Sequence, residues 1–475
     1  MARTTSCLVL VALALGLAAA PAQGAVTINI INGDAAGVGF NDPTIVAAVG
    51  GNPGTTIGAQ RLNVFTQAAS IWGAALSSNV PVNVYATWVA KTCTSTTAVL
   101  GSAGPISVDR DFTLAPFPAT WYHVALANRL AQTDLDPAGN DINASFNINL
   151  GTAGCLDTSG WYYGYDHNEG ALIDFLAVLL HELGHGLGFS TFTSGTTGAY
   201  FSSFPSAYDH FLRDDATGLL WSDATETAPQ RVASAITGVG LSWTGANADG
   251  YGTAHMTDAP QLVVTGSANG GAANGNYYVG TASFGAALSS PGVTATMQLG
   301  VDGTAPVNDG CEALVGFTPG NICVVDRGLC GFTVKAKACQ TAGAVGAIIV
   351  DNVAGVPPPA GLGGTDATVT IPAVRVTLSD GTLIKNNLPA TGNLSTTNVR
   401  KAGMNGSGRM LMYAPNPFQS GSSVSHWDTS ATPNLLMEPA INADLDGSLD
   451  ATLEVMRDTG WFATLPVELM RFEIE

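Results

Sequence analysis

Ala171-Leu172-Ile173-Asp174-Phe175-Leu176-Ala177-Val178-Leu179-Leu180-His181-Glu182-Leu183-Gly184-His185-Gly186-Leu187-Gly188-Phe189 is the stretch around which the chain is arranged. Its apolar run from Ala171 to Leu180 predicts a buried helix that continues through the two histidines. Helix positions i and i+4 share a face, so His181 and His185 aim two imidazoles at one point. Two neutral imidazoles at that spacing suit a zinc ion, and Glu182 can reach a water bound to it. Two buried core histidines without a metal are the plainer alternative.

Outward from this stretch, the 475 residues are enough for two or three domains with full cores. Seventeen Lys and Arg stand against 36 Asp and Glu, a formal charge of −19. That balance argues against nucleic acid and against anionic membrane surfaces as partners. Arg3, the apolar run Cys7 to Ala20 and the small-x-small site Ala22-Gln23-Gly24 read as an export signal over residues 1–24. A membrane anchor is the alternative, but the run is short and Pro21 follows it. No later stretch has the length of a membrane span, so the mature chain reads as secreted and soluble. Six cysteines remain beyond the signal: Cys93, Cys155, Cys311, Cys323, Cys330 and Cys339. An even count in an exported chain reads as disulfides. Pairing within each group joins Cys93 to Cys155, while the later four allow three pairings; a zinc cluster on those four is the competing reading.

Val26 to Ile31, Gln60 to Leu76 and Val80 to Val89 read as strand, helix and strand, the start of an α+β domain. Residues 91–160 read as mostly loop, with a weak strand at Ile142 to Ile148. Asp134, Asp136, Asn140 and Asp141 offer oxygens that suit calcium or a simple turn. Trp161 to His167 is expected at the entrance to the motif helix, and His167 is a possible ligand with a surface role as its alternative. From about Thr257 to Leu394 the chain turns β-rich, with a small-residue helix at Val334 to Val345 and a buried strand at Ala347 to Val350. Leu449 to Thr459 reads as a closing amphipathic helix. Asp444, Asp446 and Asp450 around Gly447 read as half a calcium loop or as helix capping.

A catalytic zinc takes three protein ligands and keeps one position open for water. Thr191 occupies the position where a third local histidine would fall in HExxHxxGxxH. Glu226, Asp209 and His210 are candidates downstream. The last candidate is His426, in Ser425-His426-Trp427-Asp428, with Asn434-Leu435-Leu436-Met437-Glu438-Pro439 following it.

His181 to Phe189, the Ser425 to Asp428 segment and the Asn434 to Pro439 segment together resemble the leishmanolysin-type metzincins. The resemblance implies a metzincin-type zincin domain, a twisted sheet with an active-site helix. It implies His181, His185 and His426 as zinc ligands, Glu182 as general base, and Met437 as the turn methionine beneath the metal. It covers the helix, the Ser425-to-Met437 region and the closing helix to Trp461. The separation of His185 from His426 is large, 241 residues (426 − 185). A second resemblance accounts for it. Gly320-Asn321-Ile322-Cys323-Val324-Val325-Asp326-Arg327-Gly328-Leu329-Cys330-Gly331-Phe332, with Lys335, Ala342-Gly343-Ala344 and Ile371-Pro372-Ala373, is similar to protease-associated (PA) domains. It implies a β-rich insert with a substrate-access or binding role, not a catalytic one.

The expected organisation is therefore a signal at 1–24, a catalytic domain at 25–258 and 397–462, an inserted PA domain at 259–396, and a tail at 463–475. The expected activity is that of a secreted zinc endopeptidase on protein or peptide substrates, with Zn2+ as cofactor and Ca2+ as a secondary expectation. The rival from another class is a non-enzymatic exported binding or adhesion protein that uses its PA domain on an inert zincin scaffold.

Overall fold

Alternation decides the first elements. In the strand β2 (Val82–Val89), Val82, Val84, Ala86 and Trp88 are buried and the residues between them are not, the period-2 signature of a strand with one face on a core. The computed structural model of the chain describes residues 24–462. All but the last residue of the export signal, and the whole tail at 463–475, lie outside those residues. Strand β1 (Ile28–Asn32) runs parallel to β2, with Ile28 opposite Val82. Helix α1 (Ile57–Ala75) makes the crossover between them, started by the Thr56 hydroxyl, which accepts from the Ala59 amide.

The stretch 91–160, expected to be mostly loop, holds more structure than that. Strand β3 (Gly101–Pro105) and helix α2 (Val124–Ala131) lie within it, besides β4 (Ile142–Asn147). The order in the sheet is β1-β2-β4-β3, with β4 parallel to β2 and β3 antiparallel at the edge. Gly-Ser-Ala-Gly-Pro has no β-forming character. It is a strand because its backbone groups find partners on β4, a tertiary cause that overrides propensity.

Helix α3 (Phe175–Leu187) packs across this sheet. It begins four residues later than the apolar run, because the Asp174 carboxylate accepts from the Leu176 and Ala177 amides and caps it. It ends at Gly188, whose φ of 142° is open to glycine. Trp72 of α1 and Trp461 each donate an indole N–H to α3, to the carbonyls of Leu180 (3.1 Å) and Leu187 (2.9 Å). These bonds fix the helix from both sides.

From Asp258 to Lys401 the chain makes a separate excursion. Asp258–Thr265 and Ala390–Lys401 leave and return as antiparallel neighbours, and Lys401 pairs with Asp258 at 2.8 Å. Between them, Val293–Leu299, Ile322–Asp326, Gly346–Val350 and Ala373–Val376 run parallel within an eight-stranded sheet. The expected helix runs from Phe332 to Thr341. Cys323–Cys339 ties it to the strand beneath, and Cys311–Cys330 closes the preceding loop. The four-cysteine zinc alternative is thereby replaced by two disulfides. Cys93–Cys155 is the third.

The apolar residues of the excursion form clusters of their own, among them Leu262, Ile348 and Leu394. After it, Met404, Met412, Trp427, Met437 and Met456 rejoin the cluster that contains Phe65, Trp72 and Leu183. One core thus draws on both ends of the described chain, completed by the closing helix Asp450–Thr459. The whole is a mixed α+β architecture. Among the described residues no helix is long and apolar enough to cross a membrane.

Candidate metal centre

His181 and His185 project from one face of α3, and His426 arrives from a turn of the returning segment. One nitrogen from each ring lies within 4.8 Å of the other two. The Nδ1 atoms face backbone carbonyls: His181 that of Leu436 (2.7 Å), His185 that of Phe189 (2.8 Å), His426 that of Ser422 (2.7 Å). A carbonyl only accepts, so each Nδ1 carries the hydrogen and each Nε2 keeps its lone pair. Burial pushes His181 down to about 3, His185 to about 4 and His426 well below the usual range, and in His181 and His426 the neighbouring imidazoles add to it. All three are neutral at pH 7. The Nε2 atoms of His181 and His426 then face each other at 3.2 Å as two acceptors, an arrangement that repels unless a cation lies between. Three oriented imidazole lone pairs form a donor set that fits zinc.

The supports are specific. Gly184 lies against Met437: a Cβ there would come 2.9 Å from the Met437 sulfur. Met437 is fully buried, and its carbonyl accepts from the Trp427 amide at 2.8 Å. Val424, two residues before His426, has φ of 75°, a costly conformation for a β-branched residue. It turns the chain so that the His426 carbonyl meets the Tyr413 amide at 2.8 Å.

Glu182 is 8% exposed and borders the same cleft, of about 750 Å3. Burial pushes its carboxyl up to about 7, against the pull of the Ala103 amide and the Lys91 ammonium. Lys91 donates to the hydroxyls of Ser102 (2.8 Å) and Ser145 (2.9 Å). Strand β3 forms a wall, and a Cβ on Gly101 would come 3.2 Å from Glu182 Oε1. Lys91, Ala103 and the three carbonyls were not legible in the sequence. Backbone groups leave no residue signature, and Lys91 sits in a stretch read as loop.

The other candidates are engaged elsewhere. The Asp209 carboxylate accepts from the hydroxyls of Thr191 and Thr193, both at 2.6 Å. His210 stacks on Phe117 with ring centres 3.9 Å apart. Glu226 accepts from Thr217. His167 pairs with Asp174 at 2.5 Å, under the first turn of α3. Trp161 and Tyr163 pack on Phe175 at that same end, not at the cleft. Neither expected calcium cluster gathers as a metal-binding group. Asp141 accepts from the Asn83 amide and the Asn128 side chain, Asp134 from the Asp136 amide. Asp450 accepts from the amides of Leu436 and Thr452, and Asp446 from that of Ser448. These are turns and caps.

The family model of the PA domain matches residues 294–384, so the chain contains a PA domain within the excursion. No curated protein matches the chain. Among solved structures it is similar to BSAP, a zinc aminopeptidase from Bacillus subtilis, at 23% identity over 32% of this chain and 35% of that one, TM-score 0.21. It is similar to the aminopeptidase from Aneurinibacillus sp. strain AM-1 at 22% identity over 30% of this chain and 32% of that one, TM-score 0.22. It is also similar to the psychrophilic subtilisin-like protease Apa1 from the Antarctic psychrotroph Pseudoalteromonas sp. AS-11, at 21% identity over 30% and 33%, TM-score 0.21. The matched part is about a third of the length of each of those proteins.

Proposed function

We propose that this chain is an exported zinc-dependent endopeptidase of the leishmanolysin-like metzincin type, interrupted by a PA domain at 259–396. The observation that carries the reading is the meeting of three Nε2 lone pairs beside a buried glutamate in a cleft. His181, His185 and His426 would hold the ion. When bound, zinc supplies a water of lowered pKa and polarises a substrate carbonyl. Glu182 takes the proton of the attacking water and delivers it to the leaving amine as the C–N bond breaks. Ala103 and Lys91 keep its carboxylate turned to the cleft. Met437, packed against Gly184 between the two helix histidines in sequence, supports the cage without touching the substrate.

The edge position of β3 supports action within a polypeptide. Leu100 to Ala103 line the cleft, and β3 has a neighbour on one side only. An extended peptide can add to such an edge through main-chain hydrogen bonds. The three disulfides fit an oxidising compartment, and the export signal at 1–24 supplies the route.

The test is casein hydrolysis by the purified chain with and without 1,10-phenanthroline, beside Glu182→Gln. Hydrolysis should be lost to the chelator and return with zinc. The variant should lose at least about a hundredfold in rate while keeping its zinc. Hydrolysis unaffected by the substitution would sink the mechanism. A chain that binds zinc and cleaves nothing would favour the binding-protein reading.

A further inference from the structure

A group of acids that does not line the histidine cleft lies in the loop between Val293–Leu299 and Ile322–Asp326. Asp302 and Asp309 are each 3% exposed, and Glu312 is exposed beside them. One carboxylate oxygen from each lies within 4.8 Å of the other two. The Oδ1 atoms are used locally: that of Asp302 accepts from the Thr304 amide at 3.2 Å, that of Asp309 from the Cys311 amide at 3.1 Å. The two Oδ2 atoms are buried and have no hydrogen-bond partner.

That pattern is costly as it stands. A buried carboxylate oxygen without a partner forfeits its hydration, and three acids at this separation repel one another. The cation facing them is Lys335, itself fully buried. Its ammonium donates to the Asp309 carbonyl at 2.5 Å and contacts the Cys311 sulfur at 3.4 Å, not either Oδ2. One lysine against three carboxylates leaves a net negative pocket. The loop is already held in shape, by Cys311–Cys330, by the Asp302 amide on the Val307 carbonyl and by the Asp326 amide on the Asn308 carbonyl, both at 2.8 Å.

We infer that Asp302, Asp309 and Glu312 form a binding site for a hard divalent cation of the calcium type. Oxygen-only donors exclude a preference for soft metals. Calcium tolerates irregular geometry and completes its shell with water, which the exposed Glu312 side admits. The site pins the loop to the sheet of the PA region and is independent of the histidine centre. It is also distinct from the two acidic clusters that the sequence offered for calcium.

The probe is CaCl2, titrated calorimetrically into the zinc-loaded full chain after dialysis into calcium-free buffer. One site is expected, with a dissociation constant on the order of micromolar to millimolar. Binding should persist after 1,10-phenanthroline has stripped the zinc, which separates this site from the histidines. The isosteric pair Asp302→Asn/Asp309→Asn should weaken binding by about tenfold or more, and the exposed Glu312→Gln by a few-fold, since affinity follows the ligand charge. Glu312→Gln alone decides the matter if the buried pair fails to fold. No heat and no rise in thermal midpoint at millimolar calcium, or binding unchanged in Glu312→Gln, would overturn the assignment.

Discussion

The Nε2 atoms of His181 and His426 lie 3.2 Å apart although 245 residues separate them in sequence. The closure is made in two steps. Asp258–Thr265 and Ala390–Lys401 pair, so the excursion begins and ends at one place on the molecule. Then Met437 and Trp427 pack into the core that holds α3, and the turn at Val424 presents His426.

His426→Ala should therefore reduce bound zinc from about one equivalent to a small fraction, because two imidazoles make a much poorer site than three. His210→Ala should leave zinc content unchanged, since His210 stacks on Phe117 and bonds Thr120. Metal analysis of the two purified variants checks the ranking, and the reverse order would move the third ligand to the His210 segment.

Gly186 tests the seating of α3 on the sheet. A Cβ there would lie 2.6 Å from Cγ2, 2.8 Å from Cδ1 and 2.9 Å from Cγ1 of Ile142 on β4. Gly186→Ala should cost about 1–3 kcal/mol by overpacking, seen as a lowered urea midpoint. Gly250, in the helix Ala246–His255, has open space around it. Gly250→Ala should instead stabilise by about 0.5–1 kcal/mol.

Asp249 gives stability a pH dependence. Burial pushes its carboxyl up to about 7; the Met410 amide and Arg409 oppose this, while Asp458 and Asp215 reinforce it. The unfolded carboxyl titrates near 3.8. Between the two values the unfolded chain releases the proton and the folded chain keeps it, so this stabilisation is full below the lower value and lost as pH rises to about 7. Urea midpoints of the zinc-free chain from pH 4 to 8 should fall more steeply for the native protein than for Asp249→Asn. Parallel profiles would refute the assignment.

Cys93–Cys155 spans 62 residues, a stretch that carries β3, α2 and β4. Loop-closure entropy assigns its loss about 4 kcal/mol. Cys93→Ala/Cys155→Ala should unfold at correspondingly lower denaturant, and the cleft wall at β3 should gain hydrogen exchange first.

Much of the site was legible because helix geometry is local. The i, i+4 spacing placed His181 and His185 on one face, and the even cysteine count indicated disulfides. Strand β3 was not legible, because Gly-Ser-Ala-Gly-Pro becomes a strand only by pairing with β4. The two acidic clusters, open to calcium or to turns and caps, are turns and caps, the local use that Asp and Asn beside Pro and Gly most often have. Nor did Asp302 and Asp309 declare themselves, as seven residues separate them (309 − 302) and only burial leaves their Oδ2 atoms without partners.

By itself the sequence determined the helix, its two imidazoles, the glutamate between them and the class of the insert. The tertiary structure alone decided how the four late cysteines pair and that Leu436, Phe189 and Ser422 orient the imidazoles. These are matters of chain closure, governed by which distant backbone and apolar surfaces find each other, and no local pattern of residues records them.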